Sequence, residues 1–197
     1  METIYRLLYC IVKPFFCLCH PVRSIGRENI PEGAVVLCAN HTALTDPLFV
    51  CFAAQLHFQI RPMAKIELSR VPLIGWLLGK AGVIYVDRGH ADVKAVKSAL
   101  SCLKGDGKLL IFPEGTRVHE GEDVAAKGGA ALFATRTASP ILPVYVTRNK
   151  PWFRPTTVVF GQPFYPQIAG RKATAEELDQ ITHTVMDQIH ALGEGLE

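Results

Sequence analysis

In the stretch Asn40-His41-Thr42-Ala43-Leu44-Thr45-Asp46-Pro47, an imidazole and a carboxylate stand five residues apart, directly after the apolar run Ala34 to Ala39. Imidazole is the side chain best matched to moving a proton near neutral pH, and a nearby carboxylate fixes its tautomer and stabilises its charged form. Such a pair is half of an acyl-transfer site. Five residues of α-helix would turn the two side chains about 140° apart, so the pair converges only if the chain leaves the strand as a loop before any helix begins. A plainer reading of the same residues makes Asp46 a helix N-cap, Pro47 a first-turn proline and His41 a polar loop residue.

Two further segments carry chemistry. Phe112-Pro113-Glu114-Gly115-Thr116-Arg117 follows the strand-like Lys108 to Ile111, and Gly82 to Arg88 ends on Asp87-Arg88. Guanidinium makes paired, charge-assisted bonds to phosphate oxygens, which makes Arg117 the best phosphate ligand and Arg88 the second candidate. Gly115 permits a tight turn, Thr116 adds a hydrogen-bond donor, and Glu114 accepts from a hydroxyl or holds Arg117 in place. For Asp87-Arg88 a surface ion pair is the competing reading. Lys127-Gly128-Gly129 offers a positive charge and a helix start facing the anion, against a plain solvated lysine. No Ser or Cys sits in a nucleophile-elbow setting, which favours direct transfer over a covalent intermediate. Cys17-Leu18-Cys19-His20 lacks a second pair of metal ligands at finger spacing, and Gly75 to Lys80 is one residue short of a phosphate-binding loop, so neither a metal nor nucleotide hydrolysis is expected.

The elements that must position these groups alternate between strand-like and helix-like segments. Strands are predicted near 34–39, 59–64, 82–86, 108–112, 141–147 and 156–160, and helices near 47–56, 72–80, 90–104, 127–137 and 174–191. Thr174 is the predicted N-cap of the last helix, with Glu177 completing a capping box. This is the pattern of an α/β single domain, a largely parallel mixed sheet flanked by helices. In open sheets of that kind ligands bind beyond the carboxyl ends of the strands, where all three polar motifs fall. Residues 4–19 read as an amphipathic N-terminal helix that Pro14 should bend or end. It either packs on the core or lies in the plane of a membrane, and both can hold on different faces. Trp76, Leu77 and Leu78 read either as core or as the wall of an acyl tunnel.

With 49% hydrophobic residues in 197, the chain is long enough to bury a core without disulfides or metal. Six cysteines among apolar neighbours read as buried reduced thiols, fitting a cytosolic compartment. A net charge of +3 is too mild for nucleic acid and compatible with an anionic membrane surface. No apolar run reaches the roughly 18 residues of a spanning helix, and no cleavable signal peptide stands out, so the Asn40-His41-Thr42 sequon is read as coincidence. The expected organisation is a membrane-associating helix over 1–20 and a catalytic domain over 21–197.

Taken together, the motifs resemble those of the glycerolipid acyltransferase family of 1-acylglycerol-3-phosphate O-acyltransferases. His41 and Asp46 fall on its NHxxxxD box, Gly82 to Arg88 on the second motif, Phe112 to Arg117 on the third and Ile141-Leu142-Pro143-Val144 on the fourth, in the family's order. The chain departs from the family at Ala43, where a small hydroxyl residue is frequent, and in its shorter N-terminus. The resemblance implies a glycerol-3-phosphate acyltransferase-like fold and a membrane-associated enzyme of phospholipid biosynthesis at the cytoplasmic face. The activity implied is transfer of a fatty acyl group from acyl carrier protein or a coenzyme A thioester to the sn-2 hydroxyl of lysophosphatidic acid, forming phosphatidic acid. His41 is then the general base with Asp46 behind it, the 114–117 block and Arg88 hold the glycerol phosphate, and Asn40 and Lys127 are supporting residues. No cofactor is expected beyond the acyl co-substrate. The alternatives are another lysophospholipid or an amino-acid-derived lipid as acceptor, or a non-catalytic peripheral lipid-binding protein.

Overall fold

The computed structural model describes residues 2–87, 92–117 and 126–196. Its elements run α1 (Glu2–Cys19), β1 (Val22–Ile25), β2 (Val35–Ala39), α2 (Asp46–Ala54), β3 (Ile60–Lys65), α3 (Ile74–Lys80), β4 (Ile84–Val86), α4 (Val93–Lys104), β5 (Lys108–Ile111), α5 (Gly129–Thr137), β6 (Ile141–Val146), β7 (Thr156–Phe160) and α6 (Ala175–Gly193). The strands form one sheet in the order β1-β7-β6-β2-β5-β3-β4. Neighbours pair in parallel except β6 and β7, which are antiparallel. This is the mixed, largely parallel α/β sheet that the alternation of segments predicts.

Every residue of β2 is buried, as a strand covered on both faces requires. Its side chains divide by the two-residue period: Val36 and Cys38 join the core beneath α4, α5 and α6, while Val35, Leu37 and Ala39 join the core beneath α2. Outside α2 lies α1, whose Tyr5 and Tyr9 pack on Phe52. The capping box at Thr174 and Glu177 forms as predicted.

Three points differ from the sequence reading. Of the two outcomes expected at Pro14, a bend or an end, the end does not occur: α1 runs unbroken to Cys19. Packing explains this, because Tyr9 before the proline and Phe16 after it both rest on Phe52, at 5.3 Å between ring centroids in each case. The structure also has a strand, β1, that periodicity does not mark. It is four residues long, half exposed and confined to the sheet edge, where it pairs with β7. Trp76 is not core either, being 61% exposed on α3.

Candidate active site

β2, β5 and β6 are adjacent and parallel, so their carboxyl ends open on one edge of the sheet. The chain leaves β2 as the predicted loop, and Asn40 secures it. Its amide Nδ2 donates to the Val146 carbonyl at 2.8 Å, and its Oδ1 accepts from the Val146 N–H at 2.8 Å. Asn40 is thereby 4% exposed, which closes the sequon to glycosylation and fixes where His41 emerges. Thr45 rather than Asp46 occupies the N-cap position of α2, and Asp46 opens its first turn with Pro47 beside it.

His41 Nδ1 and Asp46 Oδ2 are 3.0 Å apart. An ionised carboxylate only accepts, so Nδ1 carries the proton and Nε2 presents the lone pair. The same Oδ2 accepts from the Thr42 and Ala43 amides at 2.7 Å each. Oδ1 meets Lys150 Nζ at 3.0 Å, with only 8% of the lysine side chain and 1% of the Asp46 side chain exposed. Lys150 also donates to Thr42 Oγ1 at 2.7 Å. Burial works against the Asp46 charge, yet the His41 hydrogen bond, the Lys150 charge and the Ala43 amide outweigh it and hold the carboxyl below its ordinary range. The dyad therefore keeps its anion.

Glu114 closes the other side. Its Oε2 accepts from the His41 backbone N–H at 2.7 Å, and Phe112 stacks on the His41 ring at 4.2 Å between centroids. Burial pushes the Glu114 carboxyl up to about 7, against the His41 amide, with the Asp46 charge adding to the rise and Arg148 opposing it. The sign follows. The folded state holds this proton through the interval from the ordinary value of 4.5 to about 7, so the group's contribution to stability falls as pH rises through that window. Glu114→Gln is therefore expected to raise unfolding stability at pH 8 by about 1–3 kcal/mol and to change it little at pH 4. Urea melts of both proteins at the two pH values check this, and a stability gap independent of pH contradicts it.

Gly115 adopts φ +68°, a conformation that strains any side chain, and a Cβ there would meet Lys127 Cδ at 3.0 Å. Lys127 N–H donates to the Pro113 carbonyl at 2.7 Å, so the Lys127 side chain lies against this turn. Thr116 and Arg117 follow, both exposed. A cavity of about 300 Å³ opens beneath Phe112, lined among others by Met63, Val86, Gly115, Lys127 and Phe133. A larger one, about 680 Å³, runs along α4 beside Arg61 and shares no residue with the motifs. Arg88 lies outside the described residues.

The structure thus gathers Asn40, His41, Asp46 and Glu114, and sets Gly115 and Lys127 on the same edge. It adds two cations that motif reading passed over, Lys150 and Arg148, both in the turn after β6. Arg148 is exposed and close enough to act on Glu114. The amides of His41, Thr42 and Ala43 are already taken by carboxylates, so they are not free to bind a developing oxyanion. Burial pushes the Cys38 thiol far up and the Cys51 thiol up to about 12, which disfavours the thiolate at both.

The family model described as Acyltransferase matches residues 21–147, which hold every motif named above. This chain belongs to the acyltransferase family. Among its relatives, the 1-acyl-sn-glycerol-3-phosphate acyltransferase of Borreliella burgdorferi is 33% identical over 179 residues, covering 83% of this chain and 68% of that protein. The enzyme of the same name from Pseudomonas aeruginosa is 31% identical over 163 residues, 77% of this chain and 62% of that protein. The chain thus spans about two thirds of the length of these curated relatives. Among solved structures, the 1-acyl-sn-glycerophosphate acyltransferase of Thermotoga maritima superposes with a TM-score of 0.68 at 26% identity, covering 98% of this chain and 77% of that one. An acyltransferase sheet therefore carries the His41–Asp46 pair at its carboxyl edge.

Proposed function

We propose that this acyltransferase moves a fatty acyl group from an acyl carrier protein or coenzyme A thioester to the sn-2 hydroxyl of 1-acyl-sn-glycerol 3-phosphate, forming phosphatidic acid. The observation that carries the reading is the 3.0 Å contact of His41 Nδ1 with a buried, ionised Asp46, which leaves Nε2 as a base at the strand ends. His41 removes the acceptor's hydroxyl proton as the oxygen attacks the thioester carbonyl. Collapse of the tetrahedral adduct breaks the carbon–sulfur bond, and the imidazolium returns its proton to the departing thiolate. Asp46 steadies the imidazolium between these steps, and no acyl-enzyme forms.

Arginine at 117 and 148 and lysine at 127 give the same edge of the sheet a positive rim suited to the acceptor's phosphate, while Glu114 stands where a glycerol hydroxyl can be oriented. Relatives named as 1-acyl-sn-glycerol-3-phosphate acyltransferases support this acceptor. No described helix is long and apolar enough to cross a membrane. The outer face of α1 (Ile4, Leu7, Ile11, Phe15, Leu18) is instead exposed while Tyr5 and Tyr9 turn inward, which suits a helix lying in the cytoplasmic leaflet.

Arg117→Ala is expected to raise KM for the phosphate-bearing acceptor by about 10- to 100-fold with little change in kcat, the worth of one charge-assisted contact. Steady-state assays with labelled thioesters and a panel of lysolipids measure it. An equal loss with an uncharged monoacylglycerol acceptor removes the phosphate role, and transfer to no acceptor in the panel removes the enzyme reading itself.

A further inference from the structure

The turn after β6 carries Trp152 and Phe153 outward, 66% and 69% exposed, although both are large apolar side chains. The turn is fastened to the end of α1. Phe153 N–H donates to the Cys19 carbonyl at 2.7 Å, and the Trp152 ring lies 4.7 Å from the His20 ring. Phe15 and Leu18, on the last turns of α1, are 74% and 72% exposed. Helix and turn therefore present one apolar surface. Phe153 also holds φ at +60°, a left-handed conformation that a bulky residue occupies only at a cost. Among the described residues its ring meets only the neighbouring Trp152 ring, at 6.1 Å between centroids, and stays 69% exposed, so the cost of that backbone is not repaid by burial within the chain.

Charge indicates what covers this surface. Residues 3–27 contain four basic residues and no Asp or Glu, and the turn itself, residues 148–155, contains three and none, although the chain has 18 acidic residues in all. Two copies of this chain meeting here would bring basic rim against basic rim. An anionic bilayer answers both properties, taking the aromatic rings among its acyl chains and the cations at its headgroups. We propose that the Trp152-Phe153 turn is a lipid-inserting element that seats on an anionic bilayer beside α1. The inference rests on the membrane reading of α1 given above. Lys150, in the same turn, reaches inward to Asp46, so the seated turn sets the mouth of the dyad at the lipid surface.

Trp76 and Trp152 are the two tryptophans of the chain, so Trp76→Phe leaves Trp152 as sole reporter. With vesicles of phosphatidylcholine containing phosphatidylglycerol, Trp152 emission is expected to shift to the blue and to be quenched by lipids brominated along the acyl chain. Phe153→Gly relieves the backbone and removes the ring, so Tm is expected to hold or rise while vesicle partitioning falls about tenfold. These readouts need no turnover and are independent of the acyl-transfer reading. A Leu7→Ser/Phe15→Ser variant separates the two anchors. If it releases the protein from vesicles while Trp152 in the unaltered helix never senses lipid, α1 is the anchor and the turn's role falls. If Phe153→Gly partitions as well as the parent, the proposal also falls. A blue shift that grows with protein concentration in the absence of vesicles would mean that a second copy covers the surface, and that too overturns it.

Discussion

His41→Ala is expected to lower kcat/KM for acyl transfer by about 10² to 10⁴-fold while the protein stays folded. General acid–base catalysis by a positioned side chain is worth that factor, about 3–5 kcal/mol of barrier at 1.36 kcal/mol per tenfold. The fold should survive because little is left stranded. Asp46 loses one donor and keeps the Thr42 and Ala43 amides and Lys150, and the ring removed is already 16% exposed at its side chain. The loss is expected in kcat rather than KM, since the proton moves only as the tetrahedral adduct forms. Circular dichroism and a thermal melt establish the fold, and single-turnover transfer measures the rate. A folded variant with normal turnover would assign the base elsewhere.

The first three motifs were legible because each joins a strand to a polar turn. The run Ala34 to Ala39 is uniformly apolar as a twice-covered strand must be, and the helical phase of a five-residue spacing required the loop that forms between His41 and Asp46. What stayed hidden depends on which strands are neighbours. The residues Thr147 to Lys150 follow the fourth motif and look like any polar turn, and only the parallel pairing of β6 with β2 carries them to the dyad. Strand order is a tertiary outcome, set by how buried faces are shared among helices, and a local pattern does not encode it. The same reason conceals β1, whose four residues gain their pairing from β7, more than 130 positions away.

The edge of the sheet also shows a division of electrostatic labour. Two carboxylates meet His41, Asp46 at the ring and Glu114 at the backbone amide, and their surroundings separate them: Asp46, met by Lys150 and two amides, stays ionised, while Glu114, buried with fewer donors, rises to about 7. Placing the lysine on Asp46 and the burial on Glu114 limits the net negative charge around His41.

Asp46→Asn tests that arrangement most severely, because two distinct losses coincide in it. The amide cannot accept from His41 Nδ1–H while also compensating Lys150, so the lysine is left with its side chain 8% exposed and no anion. Stranding one member of a buried pair costs about 3–5 kcal/mol, and losing the tautomer restraint lowers turnover by up to about 10⁴-fold. The two effects come apart in the double variant. Lys150→Met in the Asp46→Asn background removes the stranded charge and fits its apolar stem, so most of the lost stability is expected to return while turnover stays low. Chemical denaturation of the two single variants, the double variant and the parent closes the cycle. Additive stability losses would mean that the ion pair is a surface contact of little worth. Recovery of activity together with stability would make Asp46 a scaffold residue rather than the partner of His41.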